Sequence, residues 1–235
     1  MDIKKRLVTF GDSWVQGSEL TLEEKPFGQL LSEYLECDEY SNHGHPASNI
    51  NHLTIQLNSH LLRVSAIKQD PSEWMAVFFL TDQSRGMSFR DNHWIFFNAG
   101  GGFGNIIDKN FVSNANTAYW KYIYSSELSE ATLNTTILAL QSMCKYHGIA
   151  DYYIAGWQKF DFWPEVDTTR IYHNGQISCG DLIGLEPGDL YTHKNPNVLP
   201  GGHPSQKGHE IIADTLCQWI LESGPLAHLV RASDS

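Results

Sequence analysis

Basic residues are scarce in this chain: 16 lysines and arginines stand against 27 aspartates and glutamates, a formal net charge of −11 over 235 residues. Such a surface repels phosphate backbones and anionic membranes at long range, so neither nucleic acid nor a membrane is an expected partner. Cysteine is sparse too. Cys37, Cys144, Cys179 and Cys217 are scattered and form no CxxC pair, which points to reduced, mostly buried thiols in an intracellular protein. No apolar run reaches the ~18 residues needed to span a bilayer, and the run behind Lys4, Lys5 and Arg6 stops at Phe10, too early for a secretory leader. There is no GxSxG, which removes the standard α/β-hydrolase elbow. The glycine run from Gly100 to Gly104 lacks the Lys-Ser/Thr of a phosphate loop and is expected to be a flexible loop. No internal repeat or low-complexity tract interrupts the chain.

What is present is an alternation of short apolar runs with amphipathic stretches, the pattern of a parallel sheet covered on both faces. Residues 6–10 and 74–80 are apolar runs of strand length, and Tyr152 to Ala155 is a third. Helical spacing marks Pro26 to Leu35 (Phe27, Leu30, Leu31, Tyr34) and residues 50–67 (Ile50, Leu53, Leu57, Leu61, Val64). It also marks 127–146 (Leu133, Ile137, Leu140, Cys144), stopped by His147-Gly148, and Ser205 to Leu221 (Ile212, Leu216, Trp219, Ile220). One domain over 1–222 with a tail from 223 to 235 is the expectation. Two aromatic-rich insertions, about 83–125 and 157–200, fit no minimal sandwich and are expected to be long loops, whose rings either pack beneath them or in part line a substrate groove.

The chemistry concentrates at two distant points. Leu7 to Phe10 ends abruptly in Gly11-Asp12-Ser13-Trp14, which delivers a serine hydroxyl to the edge of a sheet. Gly202-His203-Pro204 stands just before the last helix. A serine hydroxyl is a poor nucleophile until a base accepts its proton, and His203 is the candidate base. Eleven histidines invite a metal reading through His43, His45, His52, His193 and His209, but their spacing matches no zinc signature, so surface histidines and no metal are expected. His209, on the final helix, is expected to pack or cap rather than act as a second base.

Gly11-Asp12-Ser13-Trp14 resembles block I of the SGNH (GDSL-type) hydrolases. Asn42-His43-Gly44-His45-Pro46-Ala47-Ser48-Asn49 resembles block II, and Gly202-His203-Pro204-Ser205 with Gly208-His209 resembles block V. The resemblance implies a three-layer α/β/α sandwich with a flavodoxin-like parallel sheet, nucleophile Ser13, base His203, and an oxyanion hole from the N–H groups of Ser13 and Gly44. Two positions depart from the pattern. Thr81, in Phe79-Leu80-Thr81-Asp82, replaces the block III asparagine that is the third oxyanion donor. Pro200 replaces the block V aspartate that orients the histidine. Asp181, Asp189 or a carbonyl of residues 198–201 is then left to hold the His203 ring, with Asp12 and Asp82 supporting their loops.

Two functions follow. The first is a serine ester hydrolase that removes a small acyl group, such as acetyl from a carbohydrate, without a cofactor. The second is a non-catalytic glycan-binding or structural protein on a degenerate SGNH fold. The block I region, with Gly17-Ser18-Glu19-Leu20 and Glu24-Lys25-Pro26-Phe27-Gly28, also resembles SGNH-like proteins of phages, which implies a cytoplasmic or virion-associated location and virion proteins as partners of either version.

Overall fold

The computed structural model describes residues 6–90, 93–98, 101–104, 109–185 and 195–223. A four-stranded parallel sheet runs in the order β2-β1-β3-β7, formed by β1 (Arg6–Gly11), β2 (Glu39–Gly44), β3 (Trp74–Leu80) and β7 (Ala150–Ala155). Between these strands come α1 (Ser13–Gln16), α2 (Phe27–Tyr34), α3 (His52–Ala66) and α5 (Ser126–His147); α6 (Cys179–Leu182) and α7 (Gln206–Ser223) follow. This is the sandwich expected from the sequence.

The central strand explains the layering. Every residue of β3 is buried, and alternate side chains leave opposite faces of the sheet. Met75, Val77 and Phe79 enter one core with Phe27, Leu30 and Leu31 of α2 and Ile212, Leu216 and Ile220 of α7. Trp74, Ala76, Phe78 and Leu80 enter the other with Leu53, Leu57 and Val64 of α3 and Leu133, Ile137 and Leu140 of α5. Each such side chain stabilises the fold by about 1.5–3 kcal/mol, so a strand filled on both faces anchors both layers. Tyr34 departs from the expected stripe: it closes α2 at 43% exposure.

Residues 83–125 are not the expected loop. They contain an antiparallel sheet, β4 (Gly86–Arg90), β5 (His93–Asn98) and β6 (Gly101–Gly104), followed by α4 (Lys109–Tyr122). Gly101 to Gly104 therefore pair as a strand, because a residue without a side chain still carries its ladder N–H and C=O. In the other insertion, Ile171 and Ser178 pair in parallel with Tyr153 and Ala155, extending the sheet past β7. Asp189, His193 and the tail from 224 lie outside the described residues.

Candidate active site

β1 ends where the chain must turn sharply. A side chain on Gly11 would collide with Val15 and Phe79, which is why the turn needs glycine. Gln56 of α3 clamps both sides of Gly11, accepting its N–H at 3.0 Å and donating to its carbonyl at 2.9 Å. Asp12 then caps α1 by accepting the Trp14 N–H at 3.0 Å, and Ser13 is the first helical residue. Its N–H is thus one of the first-turn donors that a helix leaves unpaired, and its side chain is partly exposed. Trp14 is fully buried against Phe79 and Trp157.

Asp12 is itself fully buried and bonded to Arg85 at 2.7 Å. Burial, the largest influence, pushes its carboxyl above the ordinary carboxylate value; the charges of Arg85 and His203 and the Trp14 N–H pull it back. Arg85 also donates to the Ser48 carbonyl and lies over the Trp157 ring. The turn that delivers it is held by Asp82, whose carboxylate accepts the Ser84 N–H at 2.8 Å.

His203 precedes α7 and is brought to the same end of the sheet, close enough for its charge to act on Asp12. Its Nδ1 lies 3.0 Å from Oε2 of Glu19. Of the partners foreseen for the ring, Asp189 lies outside the described residues. Asp181 instead forms a capping box with Ser178 at the start of α6, and the carbonyl of Leu199 accepts the Gly202 N–H. Glu19 escaped sequence reasoning because it comes from the turn after α1, far along the chain from His203.

The groups expected as oxyanion donors have other settings in the structure. The Gly44 N–H donates to Asn42 Oδ1 at 2.8 Å, while Asn42 Nδ2 donates to the Val15 carbonyl at 2.8 Å. Asn42 thus ties β2 to α1, and Gly44 is needed there because a Cβ would overlap the Gln16 backbone. Thr81 is fully buried, with its hydroxyl unpartnered among the described residues. Ser13 Oγ makes no hydrogen bond with His203 in this state, although catalytic contacts often close only when substrate is bound.

Other nucleophiles are unfavourable. Burial pushes the Cys37 thiol up to about 11 and those of Cys179 and Cys217 upward as well. Burial also lowers His209 to about 4, and its Nδ1 accepts the Phe27 N–H at 3.1 Å, so it caps α2. Among the described residues no three His, Cys, Asp or Glu side chains form a metal-binding group, and no helix is long and apolar enough to cross a membrane. A cavity of about 670 Å³ lined by residues 168–174 and the second half of α7 includes neither Ser13 nor His203.

No family model matches the sequence, and no curated protein matches it. Solved structures do. A protein of the G-D-S-L family from Desulfitobacterium hafniense DCB-2 superposes with a TM-score of 0.50 at 12% identity, covering 91% of this chain and 98% of its own. A member of the lipolytic protein G-D-S-L family from Veillonella parvula DSM 2008 gives 0.46 at 12% identity, over 91% and 96%. At such identities the first likeness establishes the fold: the chain has the SGNH-type α/β/α architecture.

Proposed function

We propose that this SGNH-fold chain is a serine ester hydrolase in which Ser13 is the nucleophile and His203 the general base. The observation that carries the reading is the joint placement of the two. Ser13 opens a helix at the carboxyl end of β1, and His203 stands at the same end with Nδ1 held by a carboxylate, which leaves Nε2 to accept a proton. Attack of Ser13 Oγ on the ester carbonyl passes its proton to Nε2. The tetrahedral oxyanion faces the Ser13 N–H and, once Gly44 exchanges Asn42 for substrate, the Gly44 N–H. Collapse expels the alcohol, protonated by His203. Water, deprotonated by the same nitrogen, then attacks the acyl-serine and releases the acid. A small acyl group on a carbohydrate fits best, since Trp157 offers a half-buried ring beside Trp14 and Arg85.

The Gly44–Asn42 bond and the buried Thr81 hydroxyl favour a second reading, a glycan-binding or virion structural protein that keeps the fold and has lost the chemistry. A fluorophosphonate probe and p-nitrophenyl acetate separate the two. The hydrolase reading expects labelling and turnover that Ser13→Ala abolishes and His203→Ala reduces by roughly 10³-fold or more. A parent that is inert to the probe, or activity unchanged in both variants, counts against the hydrolase reading.

A further inference from the structure

We infer that Glu19 is the third member of this site, a positioning residue that replaces the missing block V aspartate from the opposite end of the chain; the inference rests on the hydrolase reading above. The contact itself is the first ground: Glu19 Oε2 lies 3.0 Å from His203 Nδ1, and the imidazole is only 21% exposed. The second is the backbone at the contact. Glu19 has φ +70, in the left-handed region that a non-glycine residue rarely enters and that costs about 1–2 kcal/mol. Across the gap, the Glu19 carboxylate lies against Gly201, where a Cβ would overlap it unless the flexible side chain moved aside.

The third ground is rigidity. The turn that carries Glu19 is fastened at its start and its end. Gly17 and Ser18 both donate to the Ser13 carbonyl, so the turn begins on the nucleophile itself. At its far end the Lys25 N–H donates to Gln206 Oε1 at 2.8 Å and the Phe27 N–H to His209 Nδ1 at 3.1 Å, both on α7 directly behind His203. The frame that fixes the serine, the glutamate and the histidine is thus one hydrogen-bonded unit. In it His203 carries its proton on Nδ1 and presents the Nε2 lone pair, and the carboxylate stabilises the imidazolium once the Ser13 proton arrives. No proton passes to Glu19.

Two readouts test this. In Glu19→Ala, kcat for p-nitrophenyl acetate and the rate of fluorophosphonate labelling of Ser13 should both fall by about 10²-fold with KM little changed, less than for a fully buried acid because Glu19 is exposed to solvent. Glu19→Gln, which can still accept the Nδ1–H, should fall between Glu19→Ala and the parent. Independently of turnover, imidazole ¹⁵N shifts should show the His203 proton on Nδ1 in the parent and a shift of population toward Nε2–H in Glu19→Ala. A Glu19→Ala rate within twofold of the parent, or above it, overturns the role and makes the contact a latch. An unchanged His203 tautomer overturns it as well. Should the parent itself fail to label at Ser13, the hydrolase reading falls, and the tautomer alone decides whether Glu19 holds the ring.

Discussion

Thr81 is where a single atom separates the two functional readings. Its hydroxyl is buried without a partner among the described residues, a condition that costs about 1–3 kcal/mol. If it stays buried throughout the reaction, Thr81→Val removes that penalty and should raise stability by about 1 kcal/mol while leaving kcat within threefold. If substrate binding turns the hydroxyl toward the oxyanion, the same change should lower kcat by about 10²-fold. The closed packing around β3 favours the first result, and paired denaturation and kinetic measurements on Thr81→Val distinguish the outcomes. Loss of both stability and activity would show that the packing argument is wrong. Glycine at 44 is the counterpart of this reasoning, since there a Cβ would overlap the backbone of Gln16.

At the scale of elements, α2 and α7 are coupled by one histidine. The residue before α2 is Pro26, whose side chain cannot cap, so the Phe27 N–H is satisfied by His209 Nδ1 from the first turns of α7, and the two rings stack at 6.1 Å. His209→Phe keeps an aromatic ring in that slot and removes the acceptor together with the buried Nε2–H, which has no partner among the described residues and whose loss offsets part of the cost. It should cost about 1–3 kcal/mol in urea unfolding, and a loss below 0.5 kcal/mol would mean that the cap is dispensable. The elements themselves differed in how readily they could be read. Strands β1, β3 and β7 and helices α2, α3, α5 and α7 were legible because burial on one stripe or on both faces forces a period or an apolar run. β2 was not, since Glu-Tyr-Ser-Asn-His-Gly is a polar edge strand that only its pairing with β1 reveals. Glycine and aromatics in 83–125 suggested a loop because local composition cannot announce antiparallel pairing. At the site, Ser13 and His203 carried local motifs, whereas Glu19 met His203 only through tertiary folding.

For the whole molecule, the distribution of buried histidines sets an acid limit. Burial lowers His43, His52 and His209 to about 4 and His60 to about 3, against an ordinary value of 6.5. The native state therefore holds these rings neutral, while the unfolded chain takes up protons as pH drops below 6.5. With more protons bound in the unfolded state, stability is fully present above about pH 6.5 and falls as pH drops toward 4, by up to about 1.4 kcal/mol per pH unit for each ring. His43 and His60 share one 3.2 Å hydrogen bond and disfavour each other's charge, so the pair resists protonation together. Asp12 and Asp151 act in the opposite sense, because burial raises their carboxyls and protonation of them in acid favours the native state. Urea midpoints at about pH 7.5, 6 and 5 should fall steeply, and a flat series would refute the account. His60→Phe sharpens the test, since His60 stands edge-on to Trp74 at 4.4 Å and to Phe10 at 5.9 Å, a setting that accepts a phenyl ring. That variant should lose less stability between pH 7.5 and 5 than the parent, by about one histidine's share, whatever it gains or loses at neutral pH.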